Sequence, residues 1–153
     1  MINAIETGGD GSAVRALIIY SSTPKITQLA QAVAEGLRAA SVDVQLMEAR
    51  TGSDTIVTAP YDLICVGSPV LGLFGGRFAE DVDSSVRRCS RLEGKQAAVF
   101  VSGGLFGVGK AQRRLMALLE RQGAWVQDFA SLSSKSDAAA FGRRLEGVLK
   151  KRY

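Results

Sequence analysis

"LIIYSSTPKITQLAQAVAEGL", residues 17 to 37, sets an apolar run, a hydroxyl-rich turn and an amphipathic stretch in direct succession. The run belongs to "RALIIY" at 15–20 and reads as a strand. Beyond the turn, Ile26, Leu29, Val33 and Leu37 recur at the spacing of one helix face. Pro24 suits a first helical turn, and a Ser or Thr ahead of it suits an N-cap. A strand that turns directly into a helix is the repeating unit of an α/β domain. The turn itself admits two readings, a plain helix cap or a cradle for a phosphate.

The same alternation continues outward. "VDVQLME" (42–48) alternates apolar and polar residues as a strand does, and "DLICVGS" (62–68) and "AAVFVS" (97–102) are apolar throughout. The spacing predicts a helix carrying Phe78, Val82, Val86 and Cys89 after the third strand, and one carrying Ala111, Leu115, Leu118 and Leu119 after the fourth. "AWVQDFA" (124–130) is a fifth strand, and Phe141, Leu145, Val148 and Leu149 align on a last helix. The crossover "ARTGSDTIVTAP" (49–60) carries the weakest pattern. Apolar first, third and fourth strands suit positions covered on both faces, whereas the alternating second and the polar fifth, with Gln127 and Asp128, suit edges. The order 2-1-3-4-5 satisfies this, giving an α/β three-layer sandwich on a five-stranded parallel sheet. Residues 1–14, "MINAIETGGDGSAV", read as a loose tail without the pattern of a signal peptide, and 15–153 as a single domain.

Composition narrows the chemistry. The 153 residues include no histidine, which excludes a Ser-His-Asp triad, a His-ligated metal and an imidazole switch. Cys65 and Cys89 form neither a CxxC pair nor a disulfide framework; a reducing cytoplasm is expected, with both thiols structural. No apolar run approaches the roughly 20 residues of a bilayer span. The net charge of +4, with paired arginines at 87–88, 113–114 and 143–144, reads first as solvated helix ends and second as a face for an acidic partner. Nucleic acid is not expected, because aromatic residues are not interleaved with the basic ones.

In the order 2-1-3-4-5 a ligand sits beyond the carboxyl ends of the first and third strands, where the topology reverses. The loops there are "SSTPKIT" and "GSPVLGLFGG", and "SGGLFGVG" follows the fourth strand beside them. All are rich in Gly, Ser or Thr. "GLFGVGK" (104–110) also fits the GxxxxGK of a P-loop, but Ala111 stands where a magnesium-binding Ser or Thr is needed.

Taken together these stretches resemble the flavodoxin family. "LIIYSSTPKITQLAQAVAEGL" looks like that family's first strand, phosphate loop and helix; "YDLICVGSPVLG" and "GKQAAVFVSGG" look like its third and fourth strands with their turns. Against the family's Thr/Ser-x-Thr-Gly-x-Thr, Ser22 and Thr27 match, Pro24 replaces a Thr and Lys25 replaces the Gly. Leu71 stands where an aromatic commonly packs on the flavin, with Phe74 or Phe106 as substitutes. The likeness spans about residues 15 to 150.

The resemblance implies FMN, its phosphate held through Ser22, Thr23, Lys25, Ile26 and Thr27. Its ring would lie between Ser68, Pro69, Val70, Leu71 and Gly72 on one side and Ser102, Gly103, Gly104 and Leu105 on the other. It also implies electron transfer with a redox partner protein or a small electron donor or acceptor, the flavin carrying the chemistry. An FMN-dependent NAD(P)H or quinone-type oxidoreductase is the alternative, and a flavin-free interaction module a third reading. Phospho-receiver domains, low-molecular-weight phosphatases and cobalamin-binding domains share this strand order. They lack support here, since Ser21–Ser22 and Gly67–Ser68 replace receiver acids, the first loop has no Cys or Arg, and there is no His.

Overall fold

The computed structural model describes residues 13–150; the tail read at 1–14 falls almost wholly outside them, as do residues 151–153. The described chain opens with β1 (Arg15–Tyr20), α1 (Pro24–Ala39) and β2 (Asp43–Glu48). β3 (Ile56–Val57), β4 (Leu63–Leu71) and β5 (Arg77–Phe78) follow, then α2 (Glu80–Arg87) and β6 (Cys89–Ser90). β7 (Gln96–Ser102), α3 (Val108–Arg121), β8 (Trp125–Ser131) and α4 (Lys135–Lys150) complete it.

The five long strands form one parallel sheet in the order β2-β1-β4-β7-β8, so the two polar strands lie at the edges as their composition requires. Alternate strand residues feed two cores. Ala16, Ile18, Cys65, Ala98 and Phe100 meet α1 and α4, while Leu17, Ile19, Ile64, Val66, Val99 and Val101 meet α2 and α3. At the β8 edge a bulge opposite Ala97 and Ala98 interrupts the register, and Trp125 and Phe129 face solvent. Arg144 of α4 clamps this edge through two hydrogen bonds to the Asp128 carboxylate, at 2.8 and 2.9 Å.

One face is packed through glycine. A Cβ on Gly36 of α1 would strike the Ala139 carbonyl and lie 2.9 Å from the Arg143 amide, and a Cβ on Gly142 of α4 would strike the Val33 carbonyl. The two backbones therefore touch, which only residues without side chains permit.

The middle of the chain departs from the sequence pattern. β4 runs three residues past Ser68, and its end pairs antiparallel with β5, Val70 opposite Phe78 and Leu71 opposite Arg77. Phe78 is thus in a strand rather than on the helix. α2 is confined to Glu80–Arg87: Ser68 Oγ accepts the Ala79 amide at 2.8 Å, and Glu80, Asp81 and Asp83 suit the positive end of its dipole. Cys89 lies beyond the helix in β6, which pairs with β3. Arg88 fixes this junction by donating to the carbonyls of Asp54 (2.8 Å) and Arg50. The crossover 49–60 is therefore extended chain folded around β3.

Candidate functional site

β1, β4 and β7 are neighbours, so the loops leaving their carboxyl ends stand side by side at roughly the interstrand spacing of 4.8 Å. The first two are also tied directly, since the Ser21 amide donates to the Gly67 carbonyl at 3.1 Å.

In the first loop Thr23 caps α1. Its backbone is extended, its Oγ1 accepts the Ile26 amide at 3.2 Å, and its carbonyl accepts the Thr27 amide at 2.9 Å. Pro24 contributes no N–H. Ser22, Thr23 and Lys25 are exposed and Thr27 half-buried, whereas the Ile26 side chain lies in the core. Lys25 Nζ reaches the Ser133 carbonyl at 2.5 Å, across to the turn between β8 and α4. Buried Ser21 donates to the Asp81 carboxylate of α2, with both oxygens at 3.1 Å. No sequence signal marks Asp81 or Ser133, because each lies far along the chain from its partner.

The other loops divide their residues. Leu71 and Gly72 are exposed, as are Gly103, Gly104 and Leu105. Pro69 is half-buried, and Val70, Ser68 and Ser102 are buried; the Ser68 hydroxyl is already used by the Ala79 amide and the Pro69 carbonyl. The structure thus brings Ser22, Thr23, Lys25, Leu71, Gly72, Gly103, Gly104 and Leu105 to one open end of the sheet. The side chains of Ile26, Ser68, Val70 and Ser102 turn inward.

The second and third loops also interlock. A Cβ on Gly75 would collide with the Phe106 carbonyl, and one on Gly107 would collide with the backbone of Gly76. Arg114 Nη1 adds a bond to the Gly76 carbonyl at 2.9 Å. This occupies the would-be P-loop: the turn into α3 is packed against the protein's own hairpin, and Gly107, its N-cap residue, offers no side-chain cap.

Of the two thiols, Cys65 is shielded from solvent and Cys89 is half-buried. Cys65 is fully buried in β4, and burial pushes its thiol from 9.0 up to about 12, with Asp128 adding to the rise. Burial raises Cys89 to about 11 against an opposing influence of Arg88, and its Sγ lies 3.4 Å from the Ser85 carbonyl. Among the described residues, no group of His, Cys, Asp or Glu could hold a metal ion.

No protein-family model matches the chain, and neither does any curated protein sequence. Solved structures do. Oxidised flavodoxin 1 from Bacillus cereus superposes with a TM-score of 0.66 at 20% identity, covering 91% of this chain and 99% of that one. A short-chain flavodoxin associated with a PDU bacterial microcompartment gives 0.69 at 19% identity, covering 92% and 99%. A flavone reductase gives 0.67 at 11% identity, covering 90% of this chain and 64% of that one. The strand order, the two helical layers and these superpositions together establish that the chain has the flavodoxin-like fold.

Proposed function

We propose that this protein binds FMN at the carboxyl end of its sheet and acts in electron transfer. One observation carries the reading. At the switch point between β1 and β4, an exposed start of α1 bearing Ser22, Thr23 and Lys25 stands beside loops that offer exposed Leu71 and open space over Gly103. That pairing of an anion-attracting helix start with apolar, side-chain-free walls suits a molecule with a phosphate at one end and a flat ring at the other.

The residues present fit the group. Ser22, Thr23, Lys25 and Thr27 would hold the phosphate, while Ile26, with its side chain buried and its amide used by Thr23, contributes helix geometry rather than a direct bond. Leu71, Gly72, Gly103, Gly104 and Leu105 would border the ring; the Ser68 hydroxyl, bonded to the Ala79 amide and the Pro69 carbonyl, fixes the backbone beside it, and Ser102 is buried. When bound, FMN supplies the redox chemistry. The chain's own part is to orient it, shield it from water and present backbone amides that set its potential.

The test is direct. Purified protein should carry a yellow chromophore that denaturation releases as FMN, and stripped protein should regain it on titration. Failure to bind FMN after reconstitution would leave the flavin-free interaction module standing. A second reading, an FMN-dependent reductase of quinones or similar acceptors, draws support from the net charge of +4 and from the flavone reductase of like fold. Turnover with a nicotinamide and a quinone would favour it over a carrier. For either reading, an acidic redox partner suits the basic surface.

A further inference from the structure

We propose that the joined tips of the β4–β5 hairpin and the β7–α3 loop dock the protein on an anionic lipid bilayer. Four large apolar side chains crown these tips: Leu73 is 89% exposed, Phe74 76%, Leu105 92% and Phe106 65%. Single exposed apolar residues are ordinary, but four on two touching loops make a contiguous patch of the kind that marks an interaction site. The loops are held together by the glycine contacts of Gly75 and Gly107 and by the Arg114 bond to Gly76.

The patch has a basic collar. The Lys110 stem lies against Gly76, with Cδ 3.0 Å from where a Cβ would stand, and Arg77 Nε lies 3.1 Å from the same point on Gly72. Arg113 and Arg114 follow Lys110 on the adjoining face of α3. Glu80 and Asp83 share a surface cleft with Arg77 and Arg114, but Asp83 is paired with Arg87 at 2.9 Å, so the collar stays net positive.

Exposure decides between lipid and protein. Leu73 and Leu105, with about nine-tenths of their surface free, project furthest from the body, so a folded partner would need a separate pocket for each. The interfacial layer of a bilayer receives projecting Leu and Phe without such matching, while Lys and Arg stems reach the head groups. Each basic residue near an anionic surface contributes roughly fivefold in partitioning, an effect that salt screens. The inference does not rest on flavin binding, but Leu105 also borders the proposed flavin ring, so the experiment is run with and without FMN.

Co-sedimentation with vesicles of phosphatidylcholine mixed with phosphatidylserine, against phosphatidylcholine alone, provides the test. The protein should sediment with the mixed vesicles and bind the neutral ones at least about tenfold more weakly. Leu73→Ser and, separately, Lys110→Glu/Arg113→Glu should each weaken binding about tenfold with unchanged melting, since all three side chains are exposed and none is placed at the proposed flavin site. Absence of sedimentation with either vesicle would overturn the proposal. So would a Leu-to-Ser variant that binds as tightly as its parent, which would reduce the effect to charge adsorption. Stronger retention on immobilised polyglutamate than on vesicles would reassign the face to an acidic protein.

Discussion

Lys25 shows how one residue can be legible in place and hidden in posture. Its position at the start of a helix followed from Pro24 and the apolar spacing of α1, but its bond to the Ser133 carbonyl joins residues 108 apart and leaves no local trace. A phosphate would draw the same ammonium back, since a charged acceptor outcompetes a neutral carbonyl. Lys25→Ala should therefore weaken FMN binding by roughly tenfold, the effect of one charge-assisted bond at an exposed site, and leave riboflavin almost unaffected. Titration of both flavins against both proteins checks this; tighter FMN binding by the variant would show the lysine obstructing the site. The buried thiols allow a second prediction. The unfolded chain releases the Cys65 proton near 9.0, but the folded protein holds it to about 12, so between these values the native state binds more protons. Stability is then full below pH 9 and falls as pH rises above it, by about 1.4 kcal/mol per pH unit for this group. Melting measured against pH should show that decline, and Cys65→Ala, starting from a lower melting temperature, should decline less steeply. Burial of Cys65 was readable from "DLICVG"; the inward turn of Ser68 was not, because a loop hydroxyl shows nothing of which amide it will meet.

Among the elements, α1 and α4 were the most legible and the segment from Phe78 to Cys89 the least. Apolar residues spaced three or four apart continue through β5, α2 and β6 because all three contribute to the core that α3 and the sheet share. Periodicity reports a buried side, and it cannot distinguish a continuous helix from a helix with a strand residue at each end. What no pattern could show is how near α1 and α4 approach. At Gly142 an added methyl meets a backbone carbonyl that cannot rotate away, so Gly142→Ala must push the helices apart. We expect a loss of about 3 kcal/mol and a fall in melting temperature of roughly 10 °C. Gly147 on the same helix has nothing within 4 Å of a Cβ, so Gly147→Ala should instead stabilise by about 0.5–1 kcal/mol. Thermal denaturation followed by circular dichroism measures both. Equal effects from the two would refute the close crossing.

For the molecule as a whole, strand composition was enough to order the sheet, because burial on both faces and exposure at an edge demand different residues. The candidate site was legible only in outline: the switch point suggests where a ligand would sit, and the Gly, Ser and Thr of three loops suggest which residues would meet it. The interlock of two of those loops depends on glycines that meet across about 30 residues of chain, and local sequence carries no record of it. A ligand that binds only the native state adds to its stability, so FMN at a hundredfold excess over its Kd should add about 2.7 kcal/mol and raise the melting temperature by roughly 9 °C. Riboflavin at equal concentration should add less, by whatever Ser22, Thr23, Lys25 and Thr27 contribute through the phosphate. Equal shifts from the two flavins would show that the helix start takes no part.

The exposed edge strand also governs how such experiments can be observed. Trp125 is the chain's one tryptophan, stands 65% exposed, and opens β8 at the end of the sheet opposite the candidate flavin site. Its indole already emits from water in the native state, so unfolding offers it little new solvent and its emission maximum should barely move. An apparent absence of a fluorescence transition would then be a property of where the reporter sits, while the amide signal of the same sample reports a cooperative collapse of the sheet.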